Sequence, residues 1–222
     1  FLSGNSDYDD AISANTDQDV GLGKFYRSGY NEIDLVDYNT KNLKLGTSLH
    51  YRFKPTLELN YSFNYGTCTT VYQGDNRFSI KGIQFFQNKL ELKNKDKWFI
   101  RAYATNENAG KSYEAFFTGL RMLERQQTEQ NWNTSYANNW GAFYSQQVRN
   151  LPGYEPSSNY PNLSTQEWFE TIYSPFIDAN LEAIQELHRE NLAFTDASKL
   201  QPGSEEYNKL FNEITSTELI NG

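Results

Sequence analysis

The sequence predicts β structure with an appended α-helical insertion, the strands forming an antiparallel up-and-down meander. Three observations predict it. Residues 42–66 alternate between apolar and polar side chains, turn-forming clusters interrupt such alternation at intervals, and after Ser112 the apolar period lengthens from two to that of a helix.

Residues 1–29 are rich in Asp, Asn, Ser and Gly ("GNSDYDDAISANTDQD") and read as a loop segment. Asp7, Asp9, Asp10, Asp17 and Asp19 lack the spacing, the Gly and the closing Glu of a calcium loop, which favours a solvated loop over a metal site. In the first strand Leu43, Leu45, Thr47, Leu49, Tyr51 and Phe53 alternate with Asn42, Lys44, Gly46, Ser48, His50 and Arg52. Lys54-Pro55-Thr56 turns the chain, and Leu57, Leu59, Tyr61, Phe63 and Tyr65 then alternate with Glu58, Asn60, Ser62 and Asn64. Strand-forming residues flank the turn cluster Gln73-Gly74-Asp75-Asn76, which predicts a second hairpin.

In "FFQNKLELK", Phe86, Leu90 and Leu92 share one face and Gln87, Lys89, Glu91 and Lys93 the other, with Asn88 interrupting the apolar side. Adjacent Phe85 and Phe86 leave room for a bulge. Asn94-Lys95-Asp96-Lys97 turns into "WFIRAYAT", where Trp98, Ile100, Ala102 and Ala104 lie opposite Phe99, Arg101, Tyr103 and Thr105. Helices are predicted over 113–127, 132–149, 165–194 and 205–219. Their start signals are Ser164 with Glu167 three residues on, and Ser174-Pro175; a turn is expected at Pro202-Gly203.

The chain has 222 residues, 37% hydrophobic and 16% aromatic, with a mean hydropathy of -0.77. That length allows one or two domains, with aromatic rings carrying much of the apolar surface. A formal charge of -8 and the lack of a Lys/Arg cluster in the sequence argue against a nucleic-acid partner. Cys68, the one cysteine, has neither a disulfide partner nor a metal-ligand companion. The chain opens on Phe1 without an initiator Met or a signal peptide, as a mature form or an internal fragment would. No apolar run reaches membrane-helix length, but barrel strands show lipid only every second residue and keep average hydropathy low.

Enzyme, metal and cofactor motifs are not found: there is no HExxH, nucleophile elbow, phosphate loop or Cys/His metal spacing. His50 falls on the polar strand face and His188 in a charged helical run, so both read as solvated side chains. Trp132, Trp140 and Trp168, with nearby Tyr residues, offer rings for sugar stacking, although helix-face packing is the plainer reading.

The polar strand face is the candidate functional surface, with Lys44, His50, Arg52, Glu58, Lys89, Glu91 and Arg101 on it. The opposite face is uncharged on the clearest segments and ends in Tyr51, Phe53 and Trp98 beside the two short turns, as an aromatic girdle ends an apolar band. Short connections at one end contrast with longer excursions at the other. The alternation itself fits either a lipid-facing barrel or a soluble sandwich.

Three segments, "GYNEIDLVDYNTKNLKLGTSLHYRF", "NYGTCTTVYQGDNRFSIKG" to "FFQNKLELK", and "WFIRAYATNENAGKSYEAFFTG", resemble in order and wording the barrel region of TonB-dependent outer-membrane receptors of the Bacteroidota type. The part ending near "PGSEEYNKLFNEIT" is similar to the long external insertion of such receptors. The resemblance implies a transmembrane β-barrel, incomplete in this chain. It divides the chain into an external loop segment (1–29), barrel strands (30–110) and a helix-rich extracellular insertion (111–222). It implies no enzyme and no cofactor, but energised import of a scarce nutrient of the siderophore, vitamin or oligosaccharide class across the cell outer membrane. The seven polar-face residues would face the lumen. The implied partners are the TonB complex through a plug region, outer-membrane lipid, the small-molecule or oligosaccharide substrate, and a surface lipoprotein. The sequence departs from the family in lacking a plug, a TonB-contact segment and a terminal aromatic strand, and in carrying Cys68 where "YGTGTT" would have Gly. Family barrels have about 22 strands, so the chain is expected to be a piece of one. The rival expectations are a secreted or surface-bound glycan-binding module, with a sandwich and an aromatic platform, and a soluble structural domain.

Overall fold

The computed structural model describes residues 2–3, 19–74, 76–95 and 97–217. In chain order, β1 (Leu2–Ser3) pairs with β2 (Arg27–Ser28), and a short helix α1 (Glu32–Leu35) follows. Four long strands come next: β3 (Lys41–Lys54), β4 (Leu57–Gln73), β5 (Arg77–Asn94) and β6 (Trp98–Asn108), with a two-residue β7 (Tyr113–Glu114). The helices are α2 (Ala115–Gln126), α3 (Glu129–Asn139), α4 (Ser145–Arg149), α5 (Thr165–Trp168), α6 (Ser174–Ala179), α7 (Leu181–Thr195) and α8 (Glu205–Ser216). The chain forms two compact units, Phe1–Gly29 with Met122–Gln201, and Tyr30–Arg121 with Pro202–Gly222. The antiparallel sheet and the helices bear out the mixed β and α composition read from the sequence. The sheet of the described residues is open.

In the strand unit β3, β4, β5 and β6 pair in sequence order, all antiparallel, with β7 on β5. The register carries the alternation across all four strands. Leu49, Tyr61, Leu90 and Ala102 form one rung, and Tyr51, Leu59, Leu92 and Ile100 the next. Asn88, which interrupts the apolar side, accepts a hydrogen bond from the Tyr61 hydroxyl at 2.7 Å, so its amide oxygen is satisfied within that face. Among the described residues no layer covers these side chains: Leu49 is 67% exposed, Tyr51 58% and Ile100 68%.

The bulge lies elsewhere than at Phe85 and Phe86, which pair regularly with Gly66 and Tyr65. The register shifts between Cys68 and Thr70, where Lys81 and Gly82 oppose Thr69. Gly82 takes φ +64, which a residue with a Cβ adopts only at a cost, and its N–H donates to the Thr69 hydroxyl at 3.0 Å. Phe85 and Phe86 have no such freedom. Gly110, also at φ +64, lies against this bulge, and the next N–H, of Lys111, donates to the Lys81 carbonyl at 2.8 Å. Around the start of β5 the unit is tied by Arg77 to Glu32 (2.7 Å), the Tyr113 hydroxyl to the Leu35 carbonyl (2.7 Å) and the Tyr207 hydroxyl of α8 to the Asp34 carbonyl (2.8 Å).

In the helical unit the predicted helix 132–149 begins earlier, at Glu129, because the Thr128 hydroxyl accepts from the Asn131 N–H as an N-cap. It runs through a π turn, Trp140–Tyr144, into α4. The expected start at Ser164 is a full capping box with Glu167. The single helix expected over 165–194 is instead broken at Asn180. Its side-chain amide donates to the carbonyls of Phe176 (2.9 Å) and Pro152 (3.1 Å), offering the backbone an alternative to continuing.

Segment 19–29 has the irregular backbone that its lack of periodicity predicts, yet it is not a solvated loop. Val20 is 1% exposed and Phe25 6%, because the helices close around them. Trp140 donates its indole N–H to the Val20 carbonyl (3.0 Å), and the Gly21 N–H donates to the Tyr173 hydroxyl (2.7 Å). Arg27 donates to the carbonyls of Gln127 (2.8 Å) and Leu123 (3.2 Å) at the end of α2, the latter also accepting from the Gln127 N–H at 3.0 Å. Of the five aspartates weighed for calcium, Asp7, Asp9, Asp10 and Asp17 lie outside the described residues; Asp19 is exposed.

His188 is likewise not a solvated side chain. Its ring stacks on Trp140 at 3.9 Å between centroids and lies parallel to the Tyr136 ring. The Gly21 carbonyl can only accept, so Nε2 donates to it (3.0 Å) and Nδ1 accepts from the Tyr136 hydroxyl (2.7 Å). Burial holds the His188 pKa below its ordinary value and pushes the Tyr136 phenol up to about 12.

Two predictions follow from these anchors. A histidine kept neutral in the fold contributes stability above its unfolded pKa of about 6.5 and loses it as the pH falls through that value toward the lower folded one. Urea midpoints of the chain should therefore fall between pH 7 and 5, and His188→Gln should flatten that slope. An unchanged slope would remove His188 as its source. At Gly82 an added Cβ meets nothing within 4 Å, whereas at Gly110 it lies 2.1 Å from the Lys81 carbonyl oxygen. Gly82→Ala should cost about 1–2 kcal/mol, the left-handed penalty alone, and Gly110→Ala at least about twice that in the same unfolding assay.

Candidate functional site

Up to the register shift at Thr69, the even-numbered positions of β3 and β4 and the odd-numbered ones of β5 and β6 share the second face of the sheet. Its rungs follow directly from the register. Arg52, Glu58, Lys93 and Phe99 form one; His50, Asn60, Glu91 and Arg101 the next; Ser48, Ser62, Lys89 and Tyr103 a third. Six of the seven residues singled out in the sequence thus stand on three adjacent rungs. Lys44 shares the face but sits further along, opposite Gly66, and is not drawn into the cluster.

Glu91 is its centre, only 7% exposed although it lies on an open sheet. Arg101 engages its carboxylate through both Nε and Nη2, Lys89 stands at 3.7 Å, and the Asn60 amide donates to the other carboxylate oxygen at 3.3 Å. Covered by long cationic side chains, the carboxylate is screened from water by its own partners. The Arg101 hydrogen bonds to Glu91 are charge-assisted, the stronger kind. Arg101 also donates to the Tyr103 hydroxyl (3.2 Å) and lies over the Phe99 ring at 4.9 Å. On the next rung Glu58 meets Arg52 at 3.3 Å and His50 at 3.5 Å. His50 hydrogen-bonds Asn60, which links the two carboxylates through one amide.

Asn60, Tyr103 and Phe99 join this network without carrying charge, on the side the alternation of each strand assigns them, and Ser48 and Ser62 hydrogen-bond each other beside it at 3.3 Å. The face presents hydroxyl, amide, carboxylate and guanidinium groups in rows, an arrangement that hydrogen-bonds water or a polar solute. Among the described residues no group of three or more His, Cys, Asp or Glu is placed to hold a metal ion.

The sugar-platform expectation fails for the three tryptophans. Trp132, Trp140 and Trp168 are 1%, 0% and 1% exposed, packed inside the helical unit, so no sugar ring reaches them. Two open clefts of about 530 and 490 Å³ line the strand unit, and neither contains a histidine or Cys68. No helix of the described residues is long and apolar enough to cross a membrane. No protein family, characterised protein or solved structure matches this chain.

The Glu91 geometry is open to mutation. Arg101→Gln should lower the urea midpoint of the chain by leaving that carboxylate to Asn60 and Lys89, and Glu91→Gln in the same background should recover part of the loss. An unchanged midpoint in Arg101→Gln would mean that Lys89 and Asn60 suffice to hold the charge.

Proposed function

We propose that this chain is part of the wall of a TonB-dependent outer-membrane receptor of the Bacteroidota type, a transporter for a scarce nutrient. The observation that carries this reading is an uncovered apolar sheet face backed by a hydrogen-bonding one. From Phe53 back to Leu43 the chain takes ten steps. At about 3.3 Å per residue and a tilt of about 40° they project to about 25 Å, the height of the apolar band on a membrane barrel. Across that height none of the four strands places a charge on the apolar face. Tyr51 packs edge-to-face on Phe53 at its lower end, with Trp98 nearby. A soluble sandwich would bury this face beneath a second sheet.

In this reading β3 and β6 are edges at which further strands pair, since an open edge is not tolerated in hydrocarbon. The apolar face meets outer-membrane lipid. Lys44, His50, Arg52, Glu58, Lys89, Glu91 and Arg101 face the lumen, where the Glu91 and Glu58 networks hold fixed charges and hydroxyls along the path of a siderophore, vitamin or oligosaccharide. The two short turns lie on the periplasmic side, where the TonB complex acts on a plug, and the helix-rich region from 111 onward lies outside the cell, where a surface lipoprotein would meet it.

The two faces make opposite predictions in a bilayer. With the protein folded in lipid, Leu49→Arg should cost about 2–4 kcal/mol and Ser48→Arg close to nothing. Equal tolerance at these neighbouring positions would sink the lipid-facing assignment.

A further inference from the structure

The chain as a whole is acidic, at -8, yet the short-turn end of its sheet is basic. Residues 52–58 and 93–98 hold Arg52, Lys54, Lys93, Lys95 and Lys97 against Glu58 and Asp96. Read along the sequence Lys54 stands 39 residues before Lys93; strand pairing brings it beside the second turn. Lys54, Leu57, Asn94 and Trp98 form the last rung of the sheet, which brings the first turn beside the second. Lys54 and Asn94 are two strands apart, about 10 Å at the usual strand spacing, comparable to the Debye length at physiological salt. Lys54, Lys95 and Lys97 therefore act on a counter-ion together, while Lys93 stands on the polar face opposite Glu58.

Glu58 is already engaged by Arg52 and His50. Lys54, Lys93, Lys95 and Lys97 are all exposed, and among the described residues none of their ammonium groups has an ion-pair partner. Lys95 stands at φ 31, where glycine or asparagine would be accommodated more cheaply. The lysines adjoin Trp98, 44% exposed, which shares its rung with Lys54 and its face with the apolar band. An interfacial indole beside flexible cations matches a bilayer boundary, with the ring at headgroup level and the ammonium groups reaching phosphate.

We propose that this end of the sheet binds the phosphates of anionic phospholipid headgroups, so that the lysines of the two short turns fix the depth of the strands in the inner leaflet. The proposal rests on the lipid-facing reading of the apolar band and adds to it a headgroup chemistry and a set of residues.

The test is flotation of the whole chain, refolded from urea onto vesicles of phosphatidylcholine alone or of equal parts phosphatidylcholine and phosphatidylglycerol. The wild-type chain should partition about tenfold more strongly onto the anionic vesicles, a preference weakened by salt. The variant Lys54→Gln/Lys95→Gln/Lys97→Gln should lose that preference while binding phosphatidylcholine as before. A control with equal charge loss, Lys41→Gln/Lys111→Gln/Lys209→Gln, should keep it. Equal wild-type binding to both vesicles, or a preference that survives in the turn variant, would overturn headgroup binding and leave the lipid-facing face standing. Binding to neither would overturn both.

Discussion

The antiparallel ladder from β3 to β6 constrains everything else in the strand unit. Side chains alternate along each strand, and pairing keeps the alternation in phase from one strand to the next, so a single register error would mix two incompatible surfaces. It holds from Lys44 opposite Gly66 through Leu92 opposite Ile100. The apolar face is therefore continuous, and so is the charged one. Glu91 is shielded on an open sheet because that register sets Asn60 and Arg101 on either side of it and Lys89 two residues away.

The ladder departs from its register at two places, between Arg52 and Lys54, where the chain enters its first turn, and opposite Thr69, where the backbone has unusual freedom. Gly82 absorbs the extra residue opposite Thr69, and Gly110 brings the following segment against it closely enough that no side chain fits between. Beyond the bulge β5 exchanges partners, from β6 to β7, and the chain passes into its first long helix. The change from strand to helix depends on two glycines and a hydrogen bond from Lys111 to Lys81.

The helical unit obeys a different constraint. Its interior is built of large rings with polar edges, and each indole or phenol taken out of water calls for a partner. Segment 19–29 supplies several through its backbone: Val20 accepts from Trp140, Gly21 donates to Tyr173 and accepts from His188. Gly21 alone makes this approach possible, since at φ +80 a Cβ would come within 3.0 Å of Val148. An irregular segment thus acts as a core strand would, by satisfying its neighbours rather than by pairing in a sheet.

Much of this was legible in the sequence because strand faces are a local property. A period of two is the geometry of one strand, so Leu43 to Phe53 and Lys44 to Arg52 separate without knowledge of any neighbour, and the capping box at Ser164 and Glu167 is complete within four residues. What the sequence by itself determined was which residues share a face and where most elements begin. Only the tertiary structure decided which of them meet. Arg101 engages Glu91, Lys54 lies beside the second turn, and His188 is enclosed by Tyr136 and Trp140, because pairing and packing join positions from ten to about fifty residues apart. Burial, too, belongs to the surroundings and not to the residue type: Val20, in a polar run, is enclosed by helices more than a hundred residues away, while Leu49, in an apolar row, is left open by a sheet that has no second layer among the described residues.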